Sequence, residues 1–532
     1  MQFDKPNLRC DESLYLNGVR LSVKKCIFLL KNCDICEIVS QLTYNSIFRR
    51  MTNLSVKFLA IFLIGASLYS CQKEDDFIEP TTTPTPVVPP VVDPPVLEVG
   101  ASYKALNTIF DIASVPSITL EFSKDEWNKL LNYYDMYEDN QEYVVSSFAI
   151  NRAGVISAID SIGIRLRGNT SRNRPEGDSG QPHSTSNADW HHAHFSLSFE
   201  EFRDNQEYLG LEKLNLKWFK DDPSYAREVY CYDLFERFGV WTAPQSSYCK
   251  LTVKVKGDNK AAYFGVYQMV EPVDKKYLKA REDLFGYSGG NLWKGSWEAG
   301  LRYANSSDMG VDVNTLSQST SKTYTYSLKT NKKSLDAAKT QLSNFIKSLN
   351  SKSGSDLKVW LESNVDVDMF LKAYAVNVMV GMWDDYWLNT NNYYFYFDDN
   401  NKFTFIPYDY DNTLGTSLII DSGTKDLLKW GNNENSPLIP KILSVTEYKT
   451  KYINYLYDLI DPSKELFDYS SSVSRIMGWQ NMISSYVSND TQEDMTIYDE
   501  PASWGNQSNY RLLSPSNNFF KIKAGSLPVK IN

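Results

Sequence analysis

Between residues 79 and 100 the chain reads "EPTTTPTPVVPPVVDPPVLEVG", and this stretch limits what the chain can fold into more than any other. Each proline fixes its own φ and lacks the amide hydrogen that a helix interior or a sheet ladder requires. Proline at this density holds an extended polyproline conformation and acts as a semi-rigid spacer. The folded body is therefore expected to begin near residue 101. At 532 residues the chain has room for roughly two to four domain-sized units. Its 42% hydrophobic and 14% aromatic content is enough for a sizeable core.

Upstream of the spacer, "MTNLSVKFLAIFLIGASLYSC" (51 to 71) has Lys57, an apolar run from Phe58 to Leu68 and small residues before Cys71, the layout of a secretory signal. The run is short for a bilayer span. "LYSC" resembles a lipoprotein box, in which cleavage precedes the cysteine and its thiol carries lipid. The expected organisation is an upstream extension over 1–50, a lipoprotein signal over 51–71 and a linker over 72–100, whose opening "QKEDD" resembles an acidic surface-export tether. An outer-membrane lipoprotein at the cell surface, tied to the membrane through lipid on Cys71, is the expected location. "CDIC" at 33 to 36 lacks a strand-helix context or a second ligand pair, so a metal or redox role is not expected. The net charge of −10 argues against nucleic acid as a partner.

The folded part reads as α+β. "SITLEF" (117 to 122) alternates as a strand does, and Ser123 and Glu126 stand in capping-box spacing ahead of a helix. Further strands are expected at "EYVVSSFAI", "IGIRLRG" and "HFSLSF", a helix over 221–239 ending at Gly239, and a hairpin of "YCKLTVKV" and "YFGVYQMVE" around "GDNK". Beyond about residue 335 helical patterns dominate. A sheet-rich lobe followed by a helix-rich lobe is the expectation.

"MWDDYWLNTNNYYFYF" (382 to 397) and "FTFIPYDYDNTLG" (403 to 415) set aspartates and asparagines against aromatic strand sequence. "NNYYFYFDDNNKFTFIPYDYD" reads as a hairpin turning at Asp398 to Lys402. Asp384, Asp385, Asn389, Asn391 and Asn392 then precede its first strand, and Asp409 and Asp411 end its second. A hairpin brings its outer ends together, so these oxygens form a candidate site for a hard cation, Mg²⁺ or Mn²⁺. Turn and cap duty is the alternative for each cluster alone. Protein kinases use the same order: a catalytic-loop Asp, a metal-binding Asn five residues on (389 − 384 here), a hairpin, then a metal-binding Asp. Neither "HRD" nor "DFG" is present.

"IRLRGNTS", "YAREVYCYDLFERFG", "YFGVYQMVEPVDKKYL", "MWDDYWLNTNNYYFYF" and "FIPYDYDNTLG" follow in order the blocks of the CotH family, the spore coat protein H kinases. The resemblance covers roughly 115–460, with Tyr408 where the family has Trp in "iPWDlD". It implies a bilobal, atypical protein-kinase-like domain, taken as 101–470, with 471–532 an extension of unknown role. It also implies ATP and Mg²⁺ or Mn²⁺ as cofactors and a protein with a Ser/Thr-rich segment as partner. By this resemblance Asp384 is the catalytic Asp, Asn389 or Asn392 a metal ligand, Asp409 the metal Asp and Asp411 a second ligand or support. Arg165, Arg167 and Arg172, flanking Gly168 and Asn169, would lie over phosphates if they are not simply solvated. Glu228 is the candidate ion-pair glutamate.

The family's lysine on the strand after "RGNS" is missing, replaced by "WHHAHFSLSF", and Lys217 is expected to supply the charge and to pair with Glu228. His183, His191, His192 and His194 all fall near this stretch, as an exposed polar loop or a zinc site. Met269 to Glu271 reads as a hinge-like strand end or as packing. Cys231 and Cys249 could form a disulfide or lie buried. The function expected is an extracytoplasmic Ser/Thr phosphotransferase; the alternative is a kinase-like binding module with degraded catalysis that displays an aromatic surface to glycan or a partner protein.

Overall fold

Ile118, Leu120 and Phe122 are fully buried while Ser117, Thr119 and Glu121 between them are not, the period-two pattern of a strand with one face in a core. In the computed structural model this strand, β1 (Ser117–Phe122), belongs to a closed barrel. The structure describes residues 14–16, 19–21, 101–136, 141–185, 189–302, 311–312, 325–431, 435–507 and 510–527. The expectations for 51–71 and 72–100, Cys71 among them, lie outside these residues; within the first fifty, Leu14–Leu16 and Val19–Leu21 pair antiparallel.

The other barrel strands are β2 (Val144–Arg152), β3 (Val155–Arg167), β4 (His194–Ser198), β5 (Lys213–Lys217), β6 (Ser246–Val255) and β7 (Ala262–Val270). Their order is β1-β2-β3-β4-β5-β7-β6, and β6 closes onto β1 in parallel register with Ser117 opposite Lys250. Closure leaves no free sheet edge. The sheet-rich half is thus a barrel rather than an open lobe: strand periodicity specifies faces, but only the non-local β6–β1 and β5–β7 pairings close the ring. Helix α1 (Ala101–Ile109) precedes β1, and α2 (Lys124–Met136) follows it. The Ser123 hydroxyl accepts from the Glu126 amide at 3.1 Å. The Glu126 carboxylate turns instead to the Val145 amide, at 2.7 Å, so half of the expected capping box ties the helix to β2.

Helices α3 (Arg227–Arg237), α4 (Lys275–Ala280), α5 (Leu335–Ser351), α6 (Gly354–Asn364), α7 (Val367–Val380), α8 (Thr446–Ile460), α9 (Tyr469–Ile483) and α10 (Phe519–Gly525) follow. A second sheet runs β9-β10-β8-β11-β12, from Val311–Asp312, Tyr326–Leu328, Asn291–Gly295, Tyr393–Phe397 and Phe403–Pro407. Its last pair is the expected hairpin, with Tyr393 opposite Pro407 and Phe397 opposite Phe403. One sheet face, with Trp293, Phe395 and Phe405, shares a core with α3 and α7; the other, with Leu292, Tyr394 and Ile406, packs with Tyr277, Leu278 and Tyr408.

Helix α7 is buried on nearly all sides, as befits the centre of a large core. The Asp366 side chain caps it, accepting from the Met369 amide at 3.2 Å, and Gly381 ends it at φ +70°. The chain then enters the 382–392 loop directly. The described residues from 101 onward form one compact unit, and Ile476, Leu512, Phe519 and Phe520 belong to the same core as α3 and α7. Among the described residues no helix is long and apolar enough to cross a membrane. Cys231 and Cys249 are buried free thiols, so the possible disulfide is not formed.

Candidate functional site

Lys217, the last residue of β5, is the centre of a charge cluster. Its Nζ stands 2.6 Å from Glu228 Oε2, 2.7 Å from Asp409 Oδ1 and 3.5 Å from Asp411 Oδ2. Glu228 reaches it from the first turn of α3, and the two aspartates from the loop after β12. Glu228 Oε1 also accepts the Tyr410 amide at 3.2 Å, so one carboxylate fixes both the lysine and the backbone between the aspartates. That loop is held elsewhere too. The Asp409 amide donates to Tyr232 Oη at 3.0 Å, Tyr410 Oη to Asn377 Oδ1 of α7 at 2.7 Å, and the Leu414 amide to the Val380 carbonyl at 2.7 Å. Asp409 sits at φ +67°, a conformation that costs of order 1–3 kcal/mol unless its surroundings over-determine it.

Charge is unevenly shared in this cluster. Burial alone would raise all three carboxyls, but Lys217, with Arg167 behind it, outweighs burial at Asp409 and holds that group below the ordinary carboxylate range. For Asp411, burial and the neighbouring Asp409, Glu228 and Asp384 outweigh Lys217, and its carboxyl is pushed well up. Glu228 is raised as well, burial being the largest cause. Lys217 and Arg167 thus share three neighbouring acids, of which Glu228 alone is deeply buried by exposure. Asp409 and Asp411 keep side-chain exposures of 30% and 38%, so a ligand can reach them.

Asp384 comes from the other outer end of the hairpin and is near enough to act on Asp411. Its Oδ1 accepts from the amide nitrogens of Asn389 and Asn391, each at 2.9 Å, and Asn392 Nδ2 reaches its carbonyl at 2.9 Å and Oδ2 at 3.2 Å. Three amides therefore fix one carboxylate, while Asn391 Oδ1 is buried with no hydrogen-bond partner among the described residues. Asp385, adjacent in sequence, turns inward: it is 1% exposed, its Oδ1 accepts the amides of Trp387 and Leu388, and burial pushes its carboxyl up to about 8.

Of the arginines, Arg167 donates to Tyr408 Oη at 3.0 Å and faces the cluster electrostatically, with Tyr408, Asp409 and Glu228 keeping it charged against burial. Arg165, on the same face of β3, lies over the Tyr143 ring at 5.4 Å. Asn169 is exposed in the following turn, and Arg172 is 8% exposed, its amide bonded to the Asn169 carbonyl at 3.3 Å. Gly168 makes that turn at φ +109°, where a Cβ would come within 2.8 Å of Ser171 Oγ.

The histidines do not form an exposed loop. His194 Nδ1 accepts the Trp218 amide at 3.1 Å, His192 stacks on the Trp218 ring at 5.0 Å, and His183 is clasped between Glu176 at 2.8 Å and Asp258 at 2.9 Å. Burial, with Arg167 and Lys217 nearby, pushes His194 well down, so it is a neutral support beside Lys217. Met269 is buried packing in β7. Sequence reasoning missed Tyr232, Tyr410 and Asn377 as supports of the Asp409 loop; nothing in their local pattern separates them from core. A hollow of about 250 Å³ lined by Gln341, Phe345, Trp360 and Asn401, among others, shares no residue with this centre.

Among the described residues, no three His, Cys, Asp or Glu side chains converge to hold an ion by themselves. The donors still suit a hard divalent cation: they are oxygens, and Asp409 among them is held in its charged form. Such an ion usually completes its shell with water and substrate phosphate.

Residues 164–511 match the family model described as CotH kinase protein. Two curated relatives are similar over 131 residues: Invasin CotH2 of Rhizopus delemar at 26% identity and Invasin CotH3 of the same fungus at 25%. Each match covers 23% of this chain and 21% of the relative, so the similarity spans about a fifth of those proteins.

Proposed function

On the premise that the chain belongs to the CotH kinase protein family, we propose that it transfers the γ-phosphoryl group of ATP to a Ser or Thr hydroxyl of a protein, using Mg²⁺ or Mn²⁺. The observation that carries the reading is the meeting of Lys217, Glu228, Asp409 and Asp411 at one point, with Asp384 beside them. In phosphoryl transfer a protein chiefly positions groups and neutralises charge. Asp384, held by its three asparagines, orients the acceptor hydroxyl and takes its proton as that oxygen bonds to phosphorus and the bond to the departing ADP breaks. Lys217, fixed by Glu228, and Arg167, fixed by Tyr408, meet the phosphates. Asp409 and Asp411, with Asn389 or Asn392, would hold the metal, which supplies charge neutralisation and a template for the phosphate oxygens. The bilobal kinase-like arrangement, the surface lipoprotein location and the Ser/Thr-rich acceptor belong to this proposal.

Autophosphorylation with labelled ATP and Mn²⁺ tests it. Asp409→Ala is expected to abolish transfer, Asp384→Ala to lower it by orders of magnitude, and Arg167→Ala mainly to weaken nucleotide affinity. A folded wild type that binds no nucleotide with either metal would defeat the reading.

A second reading has one observation in its favour. Lys217 Nζ stands directly against Asp409 and Asp411, where an ion would otherwise sit, as in a binding module that has lost its metal. The two relatives carry the name invasin, which fits a surface module. Calorimetric titration with Mn²⁺ separates the readings: the module binds none.

A further inference from the structure

Lys294 of β8 sits on a sheet face whose other members are mostly rings and aliphatic chains. It stands opposite Tyr394 of β11 and Ser327 of β10, on the face where Leu292, Tyr394 and Ile406 pack with Tyr408. Its ammonium lies 5.4 Å from the Tyr408 ring and 5.8 Å from the Tyr394 ring, and those two rings meet edge to face at 4.9 Å. Lys329, two residues past Ser327, shares the face, and its amide donates to the Leu292 carbonyl at 2.8 Å. Both lysines are half-buried, and burial first, with Lys294 next, holds the Lys329 ammonium down to about 7. Asp409 feels the charge of Lys294 but makes its ion pair with Lys217.

Tyr408 joins this face to the charge cluster. Its hydroxyl accepts from Arg167 Nη2 at 3.0 Å, its ring carries Lys294, and the next residue, Asp409, holds Lys217 at 2.7 Å. Cations from β3, β5 and β8 thus surround two consecutive residues. The groups fall in a row. Asp384 acts on Asp411, Asp411 lies 3.5 Å from Lys217, Lys217 holds Asp409, and Tyr408 with Lys294 follows. We propose that Lys294 binds the nucleotide phosphate nearest the ribose, leaving Lys217 and Arg167 for the two beyond it. This deepens the phosphotransfer reading and rests on it: with the acceptor hydroxyl at Asp384, the γ-phosphoryl takes that end of the row and the α-phosphate the Tyr408 end. An ammonium seated on two ring faces is partly shielded from water and has no carboxylate bonded to it, so a phosphate oxygen meets it more strongly than it would a solvated surface lysine.

Calorimetric titration of the full chain with Mn-ATP, Mn-ADP and Mn-tripolyphosphate tests it. Lys294→Met should weaken ATP and ADP alike by about tenfold, the loss of one charge-assisted contact, because both nucleotides carry the α-phosphate. Lys294→Arg keeps the charge over the same rings and should stay within about threefold of wild type. A loss confined to ATP would move Lys294 to the γ-phosphate and overturn the proposal. So would Lys294→Arg binding as weakly as Lys294→Met, the mark of a lysine that only packs. If Lys294→Met fails to fold, acetylation of the wild-type chain decides. Mn-ADP is expected to protect Lys294 as fully as Mn-ATP does, with the exposed Lys332 as the unprotected reference; a Lys294 that neither nucleotide protects overturns the proposal. Tripolyphosphate separates this proposal from the reading beneath it. A wild type that binds tripolyphosphate but neither nucleotide defeats phosphotransfer from ATP, and Lys294 then stands as a phosphate cation only if Lys294→Met lowers tripolyphosphate affinity.

Discussion

Lys217 is the residue on which the centre depends most. Its side chain is 7% exposed and that of Glu228 4%, so Lys217→Met leaves buried carboxylates without their cation. Breaking a buried pair from one side costs about 3–5 kcal/mol, and a loss of about 3 kcal/mol in urea-induced unfolding is expected, given the partial exposure of Asp409. Mn²⁺ should restore part of it, because the same carboxylates then face an ion. Asp385 offers a test through pH. Its folded carboxyl titrates near 8 against 3.8 for the ordinary group. A raised acid stabilises the fold fully below the unfolded value and loses that contribution as pH rises through the folded one. Asp385→Asn, which keeps an acceptor for the Trp387 and Leu388 amides, should match wild type below about pH 4 and exceed it by a growing margin up to about pH 8, reaching a few kcal/mol. Thermal melts across that range check it, and a pH-independent difference would contradict it.

At the scale of elements, the site hangs on how three segments end. Helix α7 stops at Gly381 and delivers the chain to Asp384; β12 stops at Pro407 and delivers Asp409 at positive φ; β3 stops at Arg167 and turns on Gly168. Each terminus is fixed by a backbone conformation that few side chains tolerate. Gly168→Ala meets both a forbidden φ of +109° and contacts of 2.8 Å to Ser171 Oγ and 3.0 Å to the Arg172 amide. It should cost more than about 1 kcal/mol and, by moving Arg167, weaken Mg-ATP binding in calorimetry while leaving the far side of the barrel intact. Such turns are visible in sequence as "RGN" and "VGMW". The need for their particular φ values is not, because it depends on what lies opposite.

In the whole molecule, the stretch after 470 is part of the fold rather than an appendage. Asp490 takes the Tyr263 amide and Lys260 at 2.8 Å each, Glu493 takes the His192 amide at 2.9 Å, and Tyr510 and Phe519 fill space beside Gly415 and Gly381. A chain cut after residue 470 would expose the core faces of α3 and α7. It is expected to lose the single cooperative melting transition and most of its soluble yield, whereas an independent domain ending at 470 would melt unchanged. Here the sequence and the tertiary structure divide the work. Local pattern was sufficient for the α+β class, for most barrel strands, for the aromatic hairpin and for the two aspartate clusters at its ends, because side-chain period and turn chemistry act between near neighbours. Only the tertiary structure closed the sheet into a barrel, buried His194 beside Lys217, turned Asp385 inward while leaving Asp384 to its asparagines, and brought Lys294 and Lys329 to one face. Each of these depends on pairings between residues far apart in the chain, whose energy is set by which partners share a low-dielectric interior, and no local period encodes that.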